Sequence, residues 1–223
     1  MRYNGFVDLR KLAKGLLWTA LLLGVVGGLL RWLVVKVWVV PADDPVLSAS
    51  IAPSLSPGDI VLLFHAKRPG FGELVRCVDP DEPRRFIIGR IAAEGGDTLV
   101  IEGGRLKING NYASIEHGCA EPTFVVNDPN TGSPVEMRCD VEELGSVAHK
   151  RGNRALEGIS EPEPIQRTIQ NGFVFLVSDN RFYPLDSRVY GPIDLATCDA
   201  RIIFRIWGTQ GFADEKTRFT WIN

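Results

Sequence analysis

The residues best suited to chemistry lie in two short segments far apart in the chain. The first reads Ser48-Ala-Ser50-Ile-Ala-Pro53-Ser54-Leu55-Ser-Pro-Gly58-Asp59. A serine hydroxyl in such a segment can attack a carbonyl if a neighbouring base removes its proton and nearby donors receive the developing oxyanion. Taken alone, the segment reads as a turn-rich, solvated link. The second reads Ser178-Asp179-Asn180-Arg181-Phe-Tyr-Pro184-Leu-Asp186-Ser187-Arg188-Val-Tyr-Gly191. Alternating acids and arginines with Asx-turn residues suit a loop tied by ion pairs. The histidines, His65, His117 and His149, could serve a serine as base, but each reads as exposed or structural. Beyond residue 40 the lysines are Lys67, Lys107, Lys150 and Lys216. No metal-ligand spacing, phosphate loop or Gly-x-Gly-x-x-Gly is present, so no metal or cofactor is expected.

These segments are carried by an apolar head and a polar body. Residues 1–40 hold six of the 25 Lys and Arg and one of the 27 Asp and Glu, which leaves the rest mildly acidic and argues against nucleic-acid binding. Gly15–Leu30 is uncharged, and Gly15–Val35 reaches about 30 Å, one hydrocarbon thickness. Arg31 lies near the far end, where it can snorkel, and Trp18, Trp32 and Trp38 suit the two interfaces. Arg2, Arg10, Lys11 and Lys14 precede the span and place the N-terminus in the cytoplasm. The expectation is a retained single-pass anchor in the plasma (inner) membrane, with the body on the outer face. A cleaved signal peptide is the alternative, for which Val40-Pro41-Ala42 makes a poor site.

After Pro41 the pattern is short β-rich runs: Ile60–Phe64, Glu73–Val78, Phe86–Ile91, Thr98–Ile101, Leu106–Ile108, Phe173–Val177 and Arg201–Trp207. Pro57-Gly58-Asp59, Gly95-Gly96-Asp97, Gly103-Gly104 and Asn109-Gly110 punctuate them. A mostly β, antiparallel body is expected. Residues 111–170 are polar and rich in Pro, Gly and Glu, and read as an inserted subdomain. The organisation predicted is a cytoplasmic stretch over 1–14, an anchor over 15–40, a β core over 41–110 and 171–223, and the insertion between. Cys119 and Cys139 flank a loop inside the insertion and are expected to bridge; Cys77 and Cys198 fall on core strands as two thiols or a second bridge.

Taken together, the two segments resemble the signatures of type I signal peptidases, Ser-x-Ser-Met-x-Pro-Thr-Leu-x-x-Gly-Asp just outside a membrane anchor and Gly-Asp-Asn-Arg-x-x-Ser-x-Asp-Ser-Arg-x-x-Gly towards the C-terminus. Ile51 replaces the Met and Ser54 the Thr. The resemblance implies a signal-peptidase-like sheet, a membrane location and, as partners, exported precursor proteins with signal peptides. It implies Ser50 as nucleophile, with the Ser50 N–H and the Ser48 hydroxyl as oxyanion hole. It implies a substrate groove lined by Ile51, Ile87 and Ile88, in which the precursor binds as an added strand. Arg90, Asp179, Asn180, Arg181, Asp186, Ser187 and Arg188 would support the site.

The base of this family is a buried, neutral lysine. Aligned on Gly96-Asp97, Ile88-Gly89-Arg90 puts Gly89 at the lysine position. Arg90 cannot substitute, because a guanidinium does not deprotonate in a protein. Pro184 replaces a serine that hydrogen-bonds the lysine, and Ser178 replaces a glycine packed near it. Three departures around one position favour a degenerate peptidase that acts as a binder or assembly factor for exported proteins. The retained Ser48 and Ser50 favour the other reading, an active serine endopeptidase with a surrogate base.

Overall fold

A computed structural model describes residues 9–153 and 164–222. The N-terminal helix α1 (Leu9–Leu33) is exposed over Arg10–Arg31, a stretch long and apolar enough to cross a membrane. That composition fits a membrane anchor or a signal segment. The predicted anchor runs to residue 40, but the helix stops at Leu33 and the chain continues as strand β1 (Val35–Val39). β-branched Val35, Val37 and Val39 alternate with Lys36 and Trp38, a period that pairs better than it coils. β1 pairs antiparallel with β2 (Ile60–Phe64). Trp38 therefore belongs to the body: its ring meets Phe86 edge-on at 6.1 Å, and the Arg76 guanidinium lies 5.0 Å from it.

Along the chain follow α2 (Pro45–Ser50), β3 (Leu74–Val78), β4 (Phe86–Glu94), β5 (Thr98–Glu102), β6 (Arg105–Ile108) and β7 (Asn111–Tyr112). Then come β8 (Ser114–Asn127), β9 (Pro134–Leu144), β10 (Val147–Asn153), β11 (Ile165–Thr168) and β12 (Phe173–Val177). The chain closes with α3 (Ser187–Tyr190), β13 (Ile193–Asp194), β14 (Cys198–Trp207) and β15 (Thr220–Trp221). The body is mostly β and antiparallel, as expected. The largest sheet has the order β1-β2-β14-β3-β4-β12-β13, with β15 paired to β14. A second sheet, β11-β5-β6-β7, is built on the hairpin read from sequence; Gly103 and Gly104 have φ of 56° and 73°, as a tight two-residue turn requires.

The third sheet, β10-β9-β8, occupies most of the stretch read as an insertion. Its polar composition hid long strands: β8 is almost wholly exposed, so no alternation of apolar residues marked it. Cys119 and Cys139 form a disulfide in this sheet, and Cys77 and Cys198 form another between the paired strands β3 and β14. The main core, with Leu47, Ile51, Val61, Ile87, Ile88 and Leu176, lies on the largest sheet under α2. A smaller cluster forms where Val126 and Met137 of the third sheet meet Ala49, Ala52 and Tyr183.

Candidate functional site

The serine segment is a helix rather than the turn-rich link its composition suggests. Asp44 caps α2, accepting from the N–H groups of Val46 (3.1 Å) and Leu47 (3.0 Å), and Pro45 occupies the first helical turn. Arg85 pairs with the same carboxylate. The helix turns Leu47 into the main core and Ala49 towards the third sheet. Ser50 is the last helical residue and is fully buried. Its hydroxyl donates to the Leu47 carbonyl at 2.9 Å, and that of Ser48 to the Asp44 carbonyl at 2.6 Å. Its helical position directs the Ser50 N–H to the carbonyl four residues back. Each group assigned to nucleophile or oxyanion hole therefore has an acceptor inside α2. Among the described residues no lysine or histidine hydrogen-bonds Ser50: His65 contacts the Asp199 carbonyl, Lys216 pairs with Glu121, and Lys107 lies over the Tyr112 ring.

The closing loop grips this helix end from below. The N–H of Asn180 donates to the Ser50 carbonyl and its amide to the Ala49 carbonyl, both at 2.9 Å. Asp186 holds the loop's shape by accepting from the N–H groups of Ser178 (2.6 Å) and Arg188 (2.9 Å) and from the Arg188 guanidinium. Burial would raise its pKa, but Arg188 more than offsets that and keeps it below the usual carboxylate range. The Ser187 hydroxyl accepts from Leu176 N–H at 2.9 Å. The Ser178 hydroxyl accepts from Leu185 N–H at 3.1 Å, so this position contributes a loop-closing bond next to Pro184.

Strand β4 brings Gly89 and Arg90 alongside. Arg90 is fully buried and grips Asp179 with two hydrogen bonds, 2.7 and 3.2 Å, while a third goes to the Gly72 carbonyl at 3.1 Å. A Cβ at Gly89 would stand 3.0 Å from the Val177 carbonyl oxygen and 3.3 Å from Leu176 Cβ. The absence of a side chain thus lets β12 approach closely. Ile51, Ile87 and Ile88, expected to line a groove, are all within the main core and at most 2% exposed. They pack there with Leu47 of α2 and Leu176 of β12.

Sequence reasoning missed the third sheet's share of the site. Glu142 and His149, from β9 and β10, reach the closing loop. Glu142 pairs with Arg181, and lies 3.4 Å from both His149 and Arg151. His149 Nε2 is also 3.9 Å from Asp179, while neither ring nitrogen has a well-formed hydrogen bond. Burial would raise Glu142, but Arg181, His149 and Arg151 more than offset it and hold it at about 2. Burial, and then the Arg90 charge, pushes His149 below the ordinary histidine range. The two ion pairs, Arg90–Asp179 and Arg181–Glu142, thereby join three parts of the chain into one buried cluster. Spacing in sequence carries no signal for it, since Glu142 lies in the third sheet and Arg181 in the closing loop, and they meet only through the fold.

One apolar N-terminal helix, an antiparallel β body and a serine segment locked onto an Asp-Asn-Arg loop define a class of peptidase-like proteins. The chain belongs to the signal peptidase family, peptidase S26, whose family model matches residues 16–207. A search of the curated proteins finds no match. Membership implies substrates of the family's kind, proteins that carry signal peptides.

Proposed function

We propose that this chain is a degenerate member of its family, tethered to the plasma (inner) membrane with its body on the outer face, and that it binds exported precursor proteins without turning them over efficiently. The observation that carries this reading is the state of Ser50. Its hydroxyl is buried and donated to a carbonyl, and Gly89 occupies the position where the resemblance expects a lysine. A serine without a general base loses about 10²–10⁴ in rate. An oxyanion hole whose N–H is held inside a helix must first break that helix, which adds to the barrier. The residues retained around it hold the loop, as Arg90 and Asp186 do, and need no catalysis to be useful.

The intact grip of Asn180 on the Ser50 carbonyl favours one other reading, an active endopeptidase whose α2 rearranges on binding substrate. The two are separated by incubating the detergent-solubilised chain and its Ser50→Ala variant with a fluorogenic signal-peptide substrate and, in parallel, measuring binding of the same peptide. Binding without cleavage is expected. Cleavage that disappears in Ser50→Ala would establish the active reading instead.

A further inference from the structure

Strand β10 is an edge strand, and one side of it is open. It pairs only with β9 in its sheet, across a two-residue turn at Gly145-Ser146, with Gly145 at φ 64°. The residues flanking such a turn, Leu144 and Val147, exchange both of their hydrogen bonds, and pairs alternate from there. The N–H and C=O groups of Val147, His149 and Arg151 thus face β9, while those of Ala148, Lys150 and Gly152 face away. Gly152 bears this out: its N–H donates to the Asp179 carbonyl, and its carbonyl accepts from Arg181 N–H, both at 2.8 Å. The Lys150 carbonyl receives only a long bond of 3.4 Å from the Ser54 hydroxyl. Among the described residues no backbone partner meets the Lys150 N–H or either group of Ala148, and both residues are exposed.

This open edge looks into a groove. A cavity of about 270 Å³ lies beside Ala148, His149 and Lys150, and one of about 370 Å³ beside Ser146, Val147 and Ala148. Ala148 and Ile222 line both, so the two cavities adjoin along the β10 edge. The two ends differ. The end near Val147 is walled by Leu74, Ile202, Ile203 and Ile222, together with the mutually paired Glu73 and Arg201. The other end presents Lys150, Arg205 and Lys216 and no carboxylate. Arg205 pairs with Asp59 and Lys216 with Glu121, a carboxylate that also feels the Lys150 charge, and Lys150 itself forms no ion pair among the described residues, so one cation is in excess. The end is therefore net positive.

We propose that this groove binds an extended polypeptide segment, added as a strand to the free edge of β10, that carries apolar side chains towards Ile202 and Ile222 and a carboxylate towards Lys150. Backbone pairing to Ala148 and Lys150 supplies affinity, and the apolar and cationic ends select the sequence. The site is separate from the buried Ser50 hydroxyl and does not depend on whether that serine turns over.

The test uses the full chain in detergent and a labelled, end-capped octapeptide of alternating valine and glutamate, with a valine–lysine octapeptide as control. Fluorescence anisotropy should show binding of the acidic peptide alone, weakening as salt is raised. Amide exchange at Ala148 and Lys150 should slow when it binds. Ala148→Pro removes an N–H that β9 does not use, so the edge should survive while affinity falls about tenfold or more. Lys150→Glu should weaken the acidic peptide to a similar degree, about tenfold, by opposing its charge. Equal binding of both peptides, unchanged exchange at Ala148 and Lys150, or unaltered affinity in Ala148→Pro with an unchanged melting curve would each overturn the proposal.

Discussion

The Ser50 segment and the β10 edge are neighbours with opposite hydrogen-bond states. In α2 both serine hydroxyls donate to backbone carbonyls, and the Ser50 and Ala49 carbonyls accept from Asn180. Along β10 the outward groups of Ala148 and the Lys150 N–H have no backbone partner among the described residues. The first region has spent its polar groups inside the fold, and the second offers them to a ligand. A residue type that is reactive elsewhere is therefore no guide to which polar groups the fold leaves without a partner among the described residues.

The sharpest way to break that contrast is to open the sealed side. Arg90→Ala leaves the Asp179 carboxylate buried without its guanidinium, and removing one partner of a buried pair costs about 3–5 kcal/mol. Chemical denaturation of the solubilised protein should show a loss of that size. A variant as stable as the parent would mean that the cluster is hydrated and the site less closed than described.

Acid should act on the same cluster in two stages. Both His149 and Glu142 have pKa values in the fold below their ordinary ones, so the unfolded chain binds more protons and stability falls as pH falls. The first loss should begin below the ordinary histidine value of 6.5, as the unfolded state gains a proton that buried His149 resists. The second should run from the ordinary 4.5 of a glutamate down to about 2. Denaturant midpoints measured against pH should show both stages, and Glu142→Gln should shrink the second, leaving the share of Asp179 and Asp186, which are also held below their ordinary values. A flat profile above pH 4 would remove His149 from the account.

The smallest expected effect sharpens the comparison at Gly89. A lysine there starts 3.0 Å from the Val177 carbonyl oxygen, so β12 must give way. Gly89→Lys should cost about 1–3 kcal/mol, the usual range for overpacking, and restore no cleavage, because the Ser50 hydroxyl stays donated to Leu47. A melting curve and the fluorogenic assay decide it together. Cleavage gained by this single change would mean that the base alone was missing and that α2 opens readily.

Much of the β body was legible because strand runs and turns are local. Ile60–Phe64 and Phe173–Val177 form strands over the predicted residues. Asn109-Gly110 adopts positive φ at both positions, 50° and 86°, as its composition predicted for a turn. Strand β8 of the third sheet was not legible, since it is almost wholly exposed, whereas β9 alternates Val135, Met137, Cys139 and Val141 with Glu136, Arg138, Asp140 and Glu142, a strand signal obscured by its polar, proline-bearing setting. The boundary at residue 34 was hidden for the opposite reason. Val35–Val39 is as apolar as the helix before it, and only pairing with β2 separates strand from anchor.

By itself, then, the sequence determined the class of fold, the apolar head and the two signature segments, because side-chain type and short-range sterics set these. Tertiary structure alone decided that Ser50 is buried, that Glu142 and His149 join the closing loop, that Cys77 meets Cys198, and that the Ala148 groups and Lys150 N–H at the β10 edge have no backbone partner among the described residues. Each of these depends on which distant segments come to share a wall. Burial, ion pairing and an unpaired backbone edge are properties of that shared space, and no stretch of chain carries them alone.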